Sequence, residues 1–311
     1  MCPFVLVTEP IHPDALALLL GGCDVAYGPD LSPAAQHDAE ARADAILIRT
    51  RPLRAAGPRL RMVSKHGVGV DNIDLAAMRK AGVAVMNTPG ANAGAVAEHS
   101  LLLMLALARD LEGLAVAARE AARPGPVAGL EGRRLLVIGY GASGRRVAAL
   151  GAAFGMRVSV ATRSLTGTTP EGFAVVGALA DALPQTDVLT LHCPLTDATR
   201  NLIGAAELAL LPKGALVINC ARGGLVDEAA LVTALESGHL GGAGLDVTET
   251  EPLPAGHPLL IAPRLILTPH AAAMSAGAFR AMGMQAVQNL LDHFAGHPDP
   301  AATLIPALAS V

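Results

Sequence analysis

Leu135-Leu136-Val137-Ile138-Gly139-Tyr140-Gly141-Ala142-Ser143-Gly144, followed at once by Arg145-Arg146-Val147-Ala148-Ala149-Leu150, decides how this chain folds. An apolar, β-branched run ends in G-x-G-x-x-G and passes into an alanine-rich segment with helical character. That strand–turn–helix setting is what a dinucleotide site requires. Gly139 is expected to make the tight turn, Gly141 to let the backbone approach a pyrophosphate, and Gly144 to let the helix pack close to the sheet. Ala142 and Ser143 open the helix, whose free N–H groups and positive dipole end would face the phosphates.

Outward from this motif, the next strand is Arg157–Ala161, and it ends in Thr162-Arg163-Ser164. A site for NAD usually carries Asp or Glu about 20 residues after the glycine motif, to hold the ribose hydroxyls. No carboxylate stands there, and Glu171 comes too late. A guanidinium and two hydroxyls suit a 2′-phosphate better, so NADP is favoured over NAD; the alternative is a solvated loop with Arg163 stacked on the adenine.

Strands alternate with helices over the rest of the chain, predicting an α/β protein with parallel sheets. Before the motif, strands are expected at Phe4–Thr8, Asp24–Tyr27, Ala45–Arg49, Met62–Lys65 and Val83–Asn87, and helices at Pro13–Leu20 and Leu75–Lys80, the latter capped by Asp74. One long apolar helix is expected over Ala95–Glu120, ended by Arg123-Pro124-Gly125-Pro126. After the motif come strands at Asp187–His192, Ala215–Asn219, Gly242–Asp246 and Leu265–Leu267, and a final helix at Ser275–Phe294.

The 311 residues suffice for two domains, and 52% hydrophobic content with a mean hydropathy of +0.45 predicts large cores. A net charge of −4 without a basic tract gives no footprint for nucleic acid. Leu101–Ala108 is too short an apolar run to span a membrane, and Phe4–Thr8 reads as a strand rather than a signal peptide; a soluble, cytoplasmic protein is expected. Cys2, Cys23, Cys193 and Cys220 have no ligand-like spacing, so no metal is expected.

Three charged side chains follow successive late strands, where open α/β sheets hold their ligands: Arg222 after Ile218-Asn219, Glu251 after Leu245-Asp246, and His270 after Leu267-Thr268. Singly, each reads as a salt-bridge residue, a loop acid or a core histidine. Together, beside a nicotinamide, they make a substrate clamp and an acid/base pair.

With these residues the chain resembles the D-isomer-specific 2-hydroxyacid dehydrogenases, the family of phosphoglycerate dehydrogenase and glyoxylate/hydroxypyruvate reductase. The motifs, in order, are GVGVDNID (67–74), NTPGANAGAVAEH (87–99), GYGASG (139–144), HCPLT (192–196), INCARGGLVD (218–227), DVTETEP (246–252) and TPHAA (268–272). The resemblance implies two Rossmann-like domains: a discontinuous substrate domain, placed here at 1–97 and 276–311, and a dinucleotide domain at 98–275, with a cleft that closes on substrate. It implies that Arg222 binds the carboxylate and carbonyl, that His270 is the acid/base with Glu251 as partner, and that the Val68 and Gly69 N–H groups hold the carboxylate. Thr88, Ala142, Ser143, Pro194, Thr199, Cys220, Ala221, Asp246 and Ala273 match cofactor positions; for Asp246, bracing the loop is preferred to contact with the nicotinamide amide. Arg49 and Lys65 match cations used for phosphoglycerate, with Arg49 equally readable as a structural clamp.

The resemblance further implies a homodimer acting on a small 2-oxo or 2-hydroxy acid with NAD(P). The chain lacks the family's longer tryptophan-containing loop before the glycine-motif strand, and no effector domain is expected after Val311. Two further readings stand beside this one: an NAD-dependent D-3-phosphoglycerate dehydrogenase, and a dinucleotide-sensing binding protein of the corepressor type.

Overall fold

In the computed structural model, residues 2–307 are described. The chain divides into two compact units, one comprising the segments up to Asn92 and from Met274 onward, the other Ala93–Ala273.

The first segment runs β1 (Phe4–Val7), α1 (Pro13–Leu20), β2 (Asp24–Tyr27), α2 (Pro33–Arg42), β3 (Ala45–Ile48), β4 (Met62–Lys65), α3 (Leu75–Lys80) and β5 (Ala84–Met86). The second unit follows as α4 (Ala93–Ala108), α5 (Leu111–Arg119), β6 (Arg134–Ile138), α6 (Ala142–Ala153), β7 (Arg157–Ala161), β8 (Ala174–Val175), α7 (Leu179–Ala182), β9 (Val188–Leu191), α8 (Ala205–Leu210), β10 (Leu216–Asn219), α9 (Glu228–Glu236), β11 (Gly242–Leu245) and β12 (Leu265–Leu267). The chain then returns to the first unit with α10 (Ala276–Ala295) and β13 (Thr303–Ile305).

In the first unit the sheet order is β13-β5-β4-β3-β1-β2, parallel except for β13, which joins β5 antiparallel. The second sheet reads β12-β11-β10-β9-β6-β7-β8, all parallel. Both are doubly wound, with their reversals of strand order at β1/β3 and β6/β9. β3, β4, β9, β10 and β11 are buried along their whole length, as strands covered on both faces must be. Asp74 caps α3 as the sequence predicts, its carboxylate accepting from the Ala77 N–H at 2.8 Å.

Three expectations change. The single helix over Ala95–Glu120 is two helices, because Asp110 takes a left-handed φ of 48° and ends α4. The Asp110 carboxylate folds over Gly113, where a Cβ would lie 2.3 Å from it, and pairs with Arg264 at 3.6 Å. The unit boundaries fall at 92/93 and 273/274 rather than 97/98 and 275/276. At the first, Ala93, Ala95, Val96 and Ala97 are already buried in a helix packed on α6, β10 and β11; at the second, the 271 and 272 amides are bonded to Asp246. The antiparallel β13, the short β8 and the helices α2, α7, α8 and α9 are additional elements. Ala39 alone is buried on α2, so that segment has no apolar period to read.

Candidate active site

The carboxyl ends of β6 and β9 meet so closely at the strand-order reversal that only glycine fits. Gly139 has φ +94°, and a Cβ there would lie 2.6 Å from the backbone of His192 and Cys193. At Gly144 a Cβ would lie 1.9 Å from the Gly139 carbonyl oxygen, so that helix α6 lies directly against the turn. Gly141 is the N-cap of α6 and offers no side-chain cap. No atom stands within 4 Å of where its Cβ would be. The first-turn amides of Ala142, Ser143 and Gly144 have no intrahelical acceptor and open beside that space. Uncapped amides, dipole and absent side chain together fit a pyrophosphate.

Thr162 and Ser164 sit just past β7 with their hydroxyls 3.0 Å apart, and the Ser164 N–H donates to the Thr162 hydroxyl at 3.3 Å. Arg163 between them is exposed. Glu171 is committed elsewhere: it accepts the Tyr140 hydroxyl at 2.6 Å, with Arg145 stacked over the Tyr140 ring. Thr199 donates its hydroxyl to the Pro194 carbonyl at 2.8 Å and so folds the loop after β9. Cys220 is buried in the core, its thiol pushed up to about 12 by burial, which leaves its backbone to face any ligand. Ala221 and Ala273 are half-buried.

His270 and Glu251 come together on the loops after β12 and β11: Nδ1 lies 2.8 Å from Oε2. The hydrogen bond to Glu251 raises the His270 pKa above the usual histidine value; burial and the Arg222 guanidinium oppose it, while Asp246 adds to it. Burial pushes the Glu251 carboxyl up, but hydrogen bonds from His270 and the Thr248 N–H hold it below the usual carboxylate range. With Nδ1 engaged, Nε2 is the ring position left to carry a transferable proton. Arg222 follows β10; its main-chain carbonyl accepts from Asn219 at 2.8 Å, and its guanidinium donates to the Ala221 carbonyl at 2.6 Å.

Asp246 is a brace. Its Oδ1 accepts from the Thr268 hydroxyl at 2.6 Å and the Ala271 N–H at 2.7 Å, its Oδ2 from the Ala272 N–H at 2.9 Å. Its carbonyl takes the His270 N–H at 2.8 Å. His99, from α4, reaches Thr268 Oγ1 with Nε2 at 2.9 Å. Sequence reasoning assigned His99 and Thr268 no role, although both lie inside quoted motifs.

In the first unit, Val68 and Gly69 follow β4, and their N–H groups donate to no acceptor among the described residues. Thr88 is fully buried and holds this turn: its hydroxyl accepts from the Gly67 N–H at 3.0 Å and its N–H donates to the Gly67 carbonyl at 3.1 Å. Lys65 is buried and donates to the Arg49 carbonyl and to Asn72 Oδ1. The Arg49 guanidinium lies 5.6 Å from the Phe279 ring centroid. Glu9 was not foreseen. Its carboxylate gathers the N–H groups of Arg49 at 2.7 Å, Thr50 at 2.7 Å and Arg51 at 3.2 Å, and the Thr50 hydroxyl.

Residues 101–272 match the model of the D-isomer specific 2-hydroxyacid dehydrogenase NAD binding domain. Over 96% of this chain and 95% of the relative, the sequence is 38% identical to a glyoxylate reductase of Aeropyrum pernix. It is also 38% identical to a D-3-phosphoglycerate dehydrogenase of Methanocaldococcus jannaschii over 90% of this chain, which spans 55% of that longer protein. The crystal structure of an NADPH-dependent glyoxylate/hydroxypyruvate reductase from Sinorhizobium meliloti superposes with a TM-score of 0.83 at 29% identity, covering 98% of this chain and 97% of the other.

Proposed function

The chain belongs to the D-isomer specific 2-hydroxyacid dehydrogenase family and is an oxidoreductase acting on CH–OH groups; from that premise we propose that it reduces a small 2-oxo acid of the glyoxylate or hydroxypyruvate type, with NADPH in preference to NADH. The observation that carries the reading is the His270–Glu251 contact of 2.8 Å. It raises the affinity of the imidazole for a proton, the direction that suits a general acid. When bound, the nicotinamide supplies the hydride that goes to the carbonyl carbon. His270 Nε2 gives its proton to the carbonyl oxygen, and Glu251 stabilises the charge on the ring before transfer. Arg222 holds the substrate carboxylate and polarises the carbonyl, a bidentate task suited to a planar guanidinium. Gly141 and the first turn of α6 hold the pyrophosphate, and Thr162, Arg163 and Ser164 hold the 2′-phosphate. Asp246 keeps the His270 turn in place.

The protein acts in this reading as a cytoplasmic homodimer. No residue of α5 is buried, and Leu111 (55%) and Val116 (46%) expose apolar surface that a second copy would cover. No helix among the described residues is long and apolar enough to cross a membrane.

Steady-state assay of glyoxylate, hydroxypyruvate, phosphohydroxypyruvate and pyruvate, each with NADH and NADPH, tests the proposal. A charge-assisted contact from Arg163 to phosphate contributes roughly 1.5–3 kcal/mol, so NADPH should lead in kcat/KM by about one to two decades and Arg163→Ala should erase most of that lead. A wild-type preference for NADH would leave Arg163 as an adenine-stacking residue. Preference for phosphohydroxypyruvate with NADH would favour the phosphoglycerate reading, and absence of turnover on all four would favour a dinucleotide-sensing protein.

A further inference from the structure

Helix α4 contributes one polar side chain to the machinery behind His270, and donor accounting decides what it does there. The Thr268 hydroxyl has a single proton, and its 2.6 Å contact with Asp246 Oδ1 is the short, charge-assisted kind that takes that proton. The 2.9 Å contact between Thr268 Oγ1 and His99 Nε2 must therefore run the other way, with an Nε2–H donating to the hydroxyl oxygen. The same Nε2 lies 3.6 Å from Asp246 Oδ1, and the His99 side chain is only 15% exposed.

Asp246 spends its remaining capacity on the Ala271 and Ala272 amides. Those amides form the turn in which His270 adopts φ +53°, a left-handed conformation that a non-glycine residue keeps only when its surroundings impose it. His99, Thr268, Asp246 and the 271–272 amides thus form one unbroken chain of hydrogen bonds, ending beside the His270–Glu251 pair.

We propose that His99 is a positioning residue for proton transfer: its Nε2–H, acting through Thr268 and Asp246, fixes the 270–272 turn that aims His270 at Glu251. The role rests on the reading of His270 as the proton donor. It contributes no proton to substrate and needs no contact with it. An Nε2–H is required, because the Nδ1–H tautomer would leave Thr268 facing two acceptors with one proton.

Two variants and one spectrum test this, with the wild-type protein and His270→Gln run alongside. His99→Ala removes the donor and should lower kcat for 2-oxo acid reduction by about tenfold to hundredfold, since small misplacement of a reacting group costs that much. KM for the cofactor should hold, and the high-pH fall of kcat/KM should move to lower pH as the Glu251 contact loosens. His99→Gln presents an amide N–H near the position of Nε2 and should recover most of the rate. A long-range proton–nitrogen correlation spectrum of the wild type should show His99 as the Nε2–H tautomer. Wild-type kcat and pH profile in His99→Ala would overturn the proposal, as would equal impairment of both variants. An Nδ1–H tautomer would do so even if neither variant folds. If the wild type reduces no 2-oxo acid while the tautomer is as expected, the substrate reading fails and the hydrogen-bond relay stands.

Discussion

At the scale of single residues, His270 combines a strained backbone with a strongly directed ring. A left-handed φ on a non-glycine residue costs of order 1–3 kcal/mol, and here the bonds to Asp246 offset it. The ring contact has a consequence for pH. In the proposed reaction His270 acts as imidazolium, so kcat/KM should fall as pH rises through its pKa, which Glu251 holds above the ordinary histidine value. Glu251→Gln removes the anionic partner and should shift that fall to lower pH. A superimposable pH–rate profile would show that the pair does not form in the working enzyme. Arg222, Glu251 and His270 were legible in the sequence because each lies in the loop after one of three successive strands, β10 and β11 buried and β12 half-buried. His99 was not, since its partner Thr268 lies 169 positions away and nothing local to α4 marks the contact.

At the scale of elements, the loop after β3 shows what fixes a segment without secondary structure. Five main-chain groups from Arg49 to Arg51 are tied: three N–H groups to Glu9, the Arg49 carbonyl to Lys65, and the Arg51 carbonyl to Asn72 at 2.7 Å. Burial pushes the Glu9 carboxyl up, yet the hydrogen bonds from Thr50, Arg49 and Arg51 hold it below the usual range. The chain's own carboxylate thus fills the β1/β3 reversal of the first unit, where doubly wound sheets elsewhere place anions. Glu9→Gln replaces an acceptor with an N–H group facing other donors. It should lower the unfolding free energy by about 2–3 kcal/mol, read from urea denaturation. Coincident denaturation curves would assign the loop's order to Lys65 and Asn72 alone. Glu9 was invisible in the sequence for the reason His99 was: apart from the neighbouring Thr8 hydroxyl, its donors lie 40 or more positions downstream.

At the scale of the whole molecule, alternation of strand and helix was enough to predict parallel sheets, because buried parallel strands are continuous apolar runs, and the family resemblance supplied their division into two domains. The unit boundary was less legible, since apolar character carries on from one unit into α4 of the other. That helix also bears Leu102, 54% exposed. Sedimentation velocity at micromolar concentration should give a dimer, and the double substitution Leu111→Asp with Val116→Asp should shift it to monomer. Each apolar side chain buried in such an interface is worth about 1.5–3 kcal/mol, and each introduced charge would have to be desolvated. A wild-type monomer would leave α5 without the proposed cover.

The interleaving of the two units also sets an order of events during synthesis. Helix α10 places Ala286, Val287 and Leu290 in the core of the first unit, and Ser64 bonds to the Ala286 carbonyl 222 positions away. β13 completes the sheet edge beside β5. On the ribosome, β1 to β5 emerge first but cannot close their core until residues 93–273 have been made. At roughly 5–20 residues per second, that leaves the apolar faces of β1, β3 and β4 uncovered for some tens of seconds. The uninterrupted unit can meanwhile collapse as soon as β12 clears the exit tunnel. The nascent chain therefore finishes folding in the reverse of its order of translation, with the half that began first as the client most in need of a holding chaperone.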